Sequence, residues 1–438
     1  MKRSAVFTLT LCSAGNILFA EADKAGSGPA TDGRTEKLLE LRERIHGILE
    51  KRFFSSENIL YDYAGPNGEV VIPSAEECLA NKPNAFAWNT PIENGGFFNG
   101  DLLAGLCDLY EKFPSEKLAK QMRTLARGLY VLQDKSPVKG CILRGIGSDG
   151  KSFYPASSTD QVIPFLLGLW RYSQSKASTP EEKADCRRRC RETALALKQN
   201  HWIVLGARKG FNRGNIANKK PYDMCAILLA AMILDQTDPD GISEFDRIFE
   251  ERKDAVFAGY PDIPANDCWF SAHNYYILVM VADAYPAYRK QADHALKITA
   301  EAASKWISCW KQYVPGLAFT PDWHPLNSLW REQKNSKDAV AITGGPFWSL
   351  WTETCPAVMN ERRSIMSAFA AAWIVLISGD QEIIAKALPD ILEALDRIPF
   401  DNLYYSPFFF AENVIAKTVC LPAERTGAAE ENNRKSTF

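Results

Sequence analysis

The chain is expected to be all-α and to close as an (α/α)6 toroid, a helical repeat array closed on itself, with long aromatic-rich loops on one face. Three observations predict this. Apolar residues recur at helical spacing in segment after segment. The segments alternate between helices that are apolar almost all round and helices with a charged face, so the first kind must be covered on all sides and the second can meet water. Strand-like alternation is scarce, which argues against a parallel α/β fold.

Residues 33–53 (GRTEKLLELRERIHGILEKRF) open the series as a charged amphipathic helix, followed by a Pro-, Gly- and Asn-rich loop to residue 96. The pairs then run apolar and amphipathic in turn: 97–113 with 115–134, 159–175 with 180–202, and 222–236 with 242–257. Two more follow, 269–285 with 287–311 and 364–380 with 381–397. The N-terminal helix and the C-terminal stretch supply the sixth pair. Arg187, Arg188, Arg189 and Arg191 fall on a charged helix and are expected to form a solvated face.

The 438 residues carry a formal net charge of −2 with no large basic block, which disfavours nucleic-acid binding. Lys2 and Arg3, the apolar stretch to Phe19 and Ala20-Glu21-Ala22 read as a secretory signal at 1–22. The expected organisation is that signal, one toroid domain over 23–422 and a polar tail over 423–438. Export to the periplasm or outside the cell follows, and no other apolar run approaches a membrane span. Ten cysteines remain beyond Cys12, scattered and without a CxxC pair, so a zinc site is disfavoured and either disulfides or buried thiols are expected. With five histidines and no HExxH spacing, no metal or cofactor is expected, and no GxSxG, P-loop or dinucleotide fingerprint occurs.

The long connections at 140–159, 206–221, 259–268, 315–333 and 344–356 mix Gly, Asn, Asp and Arg with aromatics. Loops of that length in a compact domain are usually functional. Aromatic faces stack on the C–H faces of sugars, and Asn, Asp and Arg bond hydroxyls or carboxylates, so an oligosaccharide or polysaccharide is the expected partner. Candidate binding residues are Arg144 and Tyr154 before Asp160, Gln161 after it, and Arg213 and Asn215 in GFNRGN. Trp323, His324 and Trp348 join them from later loops. Trp269 and His273 lie four positions apart and share a helix face.

Two stretches go further: IENGGFFNGDLLAGLCDLYEKF (92–113) and STDQVIPFLLGLWRYS (158–173). Together they resemble the unsaturated glucuronyl and rhamnogalacturonyl hydrolases of the six-hairpin glycosidase superfamily. In that family an Asp followed shortly by Gly-Phe opens one inner helix, and a second Asp opens a later one. Here Asp160 matches the second acid, with Leu166, Leu167 and Trp170 near their offsets. Asn94 occupies the place of the first acid, between Glu93 and Gly96-Phe97, and Ile163-Pro164 stand where the family has Asn. The resemblance implies a glycoside hydrolase with Asp160 as general acid/base on an acidic or unsaturated oligosaccharide. Asn94 can only hydrogen-bond, so Glu93 or Asp101 would supply a second carboxylate. Two alternatives stay open. A polysaccharide lyase would draw on Asn94, Tyr154, His273 and Arg213, and a non-catalytic glycan-binding protein would need no acid pair.

Overall fold

The computed structural model describes residues 33–238 and 243–421; the expected signal at 1–22 and tail at 423–438 lie outside them. Among the described residues there are sixteen α-helices and no strand. Twelve of them carry the architecture: α1 (Gly33–Arg52), α2 (Gly95–Lys112), α3 (Glu116–Asp134), α4 (Thr159–Gln174), α5 (Pro180–Gln199) and α6 (Ala226–Thr237). The series continues with α7 (Glu244–Phe257), α8 (Cys268–Ala284), α9 (Arg289–Ser304), α10 (Ser367–Ile377), α11 (Gln381–Arg397) and α12 (Phe410–Thr418). No helix among the described residues is long and apolar enough to cross a membrane.

The alternation in hydropathy is an alternation in burial. Every residue of α10 is buried, as is α6 from Ala226 to Leu234. In α11 burial falls on Ile383, Ile384, Ala387, Leu388, Ile391, Ala394 and Leu395, a single helical stripe. The buried helices pack in the order α2–α4–α6–α8–α10–α12, and α12 packs against α2. Each takes one amphipathic partner: α3 on α2, α5 on α4, α7 on α6, α9 on α8, α11 on α10, and α1 on α12. The last pairing joins the two ends of the described chain, and buried polar groups pin it. Glu412 of α12 takes Arg42 at 2.8 Å and His46 at 3.1 Å, both from α1.

Boundaries shift where local chemistry intervenes. The expected helix over 287–311 breaks at Ser304 and resumes as a 3-10 turn over Ile307–Gln312, while 344–356 is a helix (Gly345–Thr354) rather than a loop. Pro346 at its start, where no intrahelical N–H is needed, favours that helix. Of the arginines on α5, Arg187, Arg188 and Arg191 are exposed as expected. Arg189 is instead buried between Asp134 (2.6 Å) and Asp185 (2.9 Å), fastening α5 to α3.

All ten cysteines from Cys78 to Cys420 are free, and only Cys420 is partly exposed. Burial pushes the thiol of Cys141 up to about 11 and that of Cys225 up to about 12, which leaves little reactive thiolate. A thiol reagent added to the native protein should therefore label at most Cys420, and all ten only in denaturant. Rapid native labelling of several would contradict this burial.

The tightest approach is between α2 and α4. A Cβ on Gly100 would fall on the Pro164 carbonyl, one on Gly168 would lie 2.6 Å from the Gly100 oxygen, and one on Gly96 2.9 Å from the Gln161 oxygen. Hydrogen is the only side chain these positions accept without separating the helices. Gly100→Ala should lower the free energy of unfolding in urea by about 1–3 kcal/mol. Gly47→Ala, on an exposed part of α1 with open space around it, should raise it by about 0.5–1 kcal/mol.

Candidate functional site

The amino ends of α2, α4, α6, α8 and α10 meet around one cleft of about 430 Å³. Glu93 lies just before α2, Asp160 in the first turn of α4, Asp223 just before α6, Trp269 in the first turn of α8, and Arg362 in the π-helical turn that leads into α10. Free N–H groups and the positive end of each helix dipole gather at such ends, which suits anionic groups.

Asp160 is half-buried, and its carboxylate meets the Gln161 amide at 3.5 Å rather than a backbone N–H of its own helix. It lines the cleft and is not the cap. Ser158 at the N-cap makes no cap bond either, because its hydroxyl accepts from Arg144 Nη2 at 2.6 Å. Arg144 also donates to the Ala156 carbonyl (3.2 Å) and the Glu93 carbonyl (3.1 Å). Its carbonyl accepts from Gly95 N–H at 2.9 Å. One buried guanidinium thus ties the turn before Asp160 to the turn before α2.

Glu93 is buried, and its Oε2 accepts from the backbone N–H of Asn89 at 2.7 Å. Asn89 holds φ at +64°, a conformation that Asn tolerates better than most residues. Burial pushes the Glu93 carboxyl up, with Arg362 and Arg144 opposing. Burial also raises Asp223, against the Nδ2–H of Asn218 at 2.9 Å. The cleft therefore holds a half-exposed carboxylate beside two buried ones that keep their protons to higher pH.

Asn94 sits at the N-cap of α2 but its side chain makes no cap bond. It donates to Asp62 Oδ2 at 2.5 Å and accepts from Gln161 Nε2 at 2.9 Å. Gln161 Oε1 takes the N–H groups of Gly96 (3.2 Å) and Phe97 (3.3 Å), so α4 supplies the cap of α2. Asn94 and Gln161 hold the cleft wall from behind and do not line it.

Aromatic rings and guanidinium groups alternate along the lining of the same cleft. Arg362 lies over Trp269 (5.1 Å) and Trp348 (5.3 Å), Trp348 packs on Trp88 (5.7 Å), and Arg213 lies over Trp88 (4.8 Å) and Phe86 (4.1 Å). Each such contact is worth about 0.5–2 kcal/mol and fixes the plane of the guanidinium. The Arg362 side chain stacks on indole faces and makes no hydrogen bond or ion pair with the side chains of the described residues, and Arg213 Nη1 is buried without a hydrogen-bond partner. Burial and the neighbouring Arg144 lower Arg213 to about 10. These donors suit a ligand that brings its own negative charge.

The cleft gathers Glu93, Asp160, Arg144, Arg213, Asn215, Trp269 and Trp348 from the residues expected by sequence. Others are corrected. Asp101 lies further along α2, fully buried against His273 of α8 at 3.3 Å, so neither reaches the cleft. Tyr154 is buried with its hydroxyl on the Lys82 carbonyl, and Trp323 is buried with its indole N–H on the Val71 carbonyl at 2.7 Å. His324 lies in a surface clasp between Asp322 (2.6 Å) and Glu77 (2.8 Å). Sequence reasoning missed Asp62, Trp88, Lys220, Tyr222, Asp223 and Arg362. Asp223 carried a usable signal, since it stands where a loop enters an apolar helix; Arg362 lies inside a continuous helical run, after the helix Pro356–Glu361.

Burial alone would lower His324, but the Asp322 and Glu77 carboxylates outweigh it and raise the imidazole above its ordinary value. The clasp is therefore fully formed below pH 6.5 and is lost as pH rises through the raised value. Hydrogen-exchange protection over 315–333, taken relative to the intrinsic rate at each pH, should be higher at pH 6 than at pH 9. His324→Gln should remove that difference.

Among the described residues no group of three or more His, Cys, Asp or Glu side chains could hold a metal ion. Comparison with family models, curated proteins and solved structures finds no match for the chain.

Proposed function

We propose that this chain is an exported glycoside hydrolase acting on an acidic or unsaturated oligosaccharide, built on an (α/α)6 toroid. The packing order of the six buried helices, in which α12 returns to α2, supports the toroid. The observation that carries the function is one cleft lined by Glu93 and Asp160 together with the Arg213–Trp88–Trp348–Arg362–Trp269 row.

In this reading the row of rings and guanidinium groups binds the sugar. The partly exposed rings of Trp88 and Trp348 meet its C–H faces, and the two guanidinium groups meet its anionic substituents. Glu93, pushed up by burial, carries the proton for the glycosidic oxygen or the enol-ether carbon. Asp160 faces water and takes the proton of the attacking water molecule. Two carboxyl groups in these roles are the usual requirement of glycoside hydrolysis. Tyr154 and His273, the bases expected for a lyase, are both buried outside the cleft; Tyr222 is the tyrosine that lines it.

A panel of uronate-containing and unsaturated oligosaccharides tests the reading. Loss of the ultraviolet absorbance of an unsaturated sugar, or release of reducing ends, is expected. A gain in absorbance would indicate elimination, and binding without cleavage would indicate a non-catalytic protein. Asp160→Asn and Glu93→Gln should each lower kcat by about 100-fold or more with folding intact. Unchanged turnover in either variant would remove that residue from the mechanism.

A further inference from the structure

Glu93 and Arg362 line the cleft on one side and a second, much smaller pocket on the other. That pocket has a volume of about 10 Å³ and is shared with Asp62, Asn89 and Tyr405. A volume near that of one water probe, bordered by several polar groups, is what a single ordered water needs. The amide Nδ2 of Asn89 is buried there without a hydrogen-bond partner, a donor for such a water. Asp62 stands on the far side with both oxygens engaged by Asn94, Oδ1 by the backbone N–H at 2.8 Å and Oδ2 by Nδ2 at 2.5 Å.

We infer that Asp62 is a positioning residue for Glu93: the two carboxyls hold one proton between them across this pocket, through a bound water, and so keep an acid available at the cleft. The proposal rests on the reading of Glu93 as the acid of the cleft. Two buried carboxyls and one guanidinium, Arg362, line the pocket together. Arg144 reaches Glu93 from behind, and Asp160, Tyr63 and Tyr405 are the other titratable groups around the pair. Burial pushes both acids up, and each opposes the other's ionisation, so their titration belongs to the pair. The proton moves between Glu93 and Asp62 by exchange through the water, with no bond to carbon made or broken. When Glu93 gives its proton to the substrate, both members of the pair are left as carboxylates until Asp160 returns the proton taken from the attacking water.

The test reads protons without any substrate. Infrared difference spectra at neutral pH count protonated carboxyls in the wild type, Asp62→Asn, Glu93→Gln and the double variant. One shared proton predicts that each single variant loses one protonated carboxyl and that the double variant loses no more. Losses that add in the double variant, or a loss in only one single variant, would overturn the sharing. If Asp62→Asn fails to fold, the Asp62 carboxyl carbon is titrated by NMR in the wild type and in Glu93→Gln. Its midpoint should then fall by at least about one pH unit; an unchanged midpoint contradicts the proposal. Either result stands apart from the substrate panel, so failure of the shared proton and failure of the hydrolase reading are distinguishable.

Discussion

The close contact between α2 and α4 sets the geometry of everything at the cleft. Gly96, Gly100 and Gly168 let the two backbones approach within the reach of a missing Cβ, and a larger residue at any of them would part the helices. At that separation Gln161 reaches across to cap α2 and hold Asn94, and Arg144 binds the turns that lead into both helices. Glu93 and Asp160 are then fixed relative to each other by backbone packing and buried hydrogen bonds. Fixed geometry of this kind is what general acid–base work needs, since a misplacement of about 1 Å can cost roughly 100-fold in rate.

Charge and burial divide the labour within the cleft. The carboxyls at its floor are buried and pushed up, whereas Asp160 stands toward solvent. In the same cleft Arg213 and Arg362 lie over aromatic faces and form no ion pair with a carboxylate of the described residues. Guanidinium groups stacked in this way keep their N–H edges for a ligand, and burial strengthens each charged contact they make. The buried contact of the Asp101 carboxyl with the His273 imidazole ties α2 to α8.

The helix alternation was legible because solvent exposure imposes it: α10 and α11 differ in sequence as sharply as they differ in burial. The amino-end rule for site residues was legible in part. It finds Glu93 and Asp160, and applied to every apolar helix it also finds Asp223; Arg362 escapes it because a helix, Pro356–Glu361, runs directly into its π turn. Asp62 and Trp88 lie in the irregular stretch before α2, where no periodicity marks which side chains turn inward. Asn94 and Gln161 sit beside the acids in sequence yet face the helix contact instead. Trp323 and His324 misled because loop aromatics fasten loops as readily as they bind sugars; the Trp323 indole is taken by a backbone carbonyl and His324 by Glu77 and Asp322.

The central claim is that one acidic sugar unit lies between the carboxyl pair and the arginine–tryptophan row. A crystal structure of the Glu93→Gln variant with an acidic oligosaccharide tests it most directly. The expected result is a sugar ring packed on Trp88 or Trp348, its anionic group on Arg362 or Arg213, and the bond to be cleaved between positions 93 and 160. A ligand bound elsewhere on the protein, or in the cleft with its anionic group turned away from both arginines, would contradict the account.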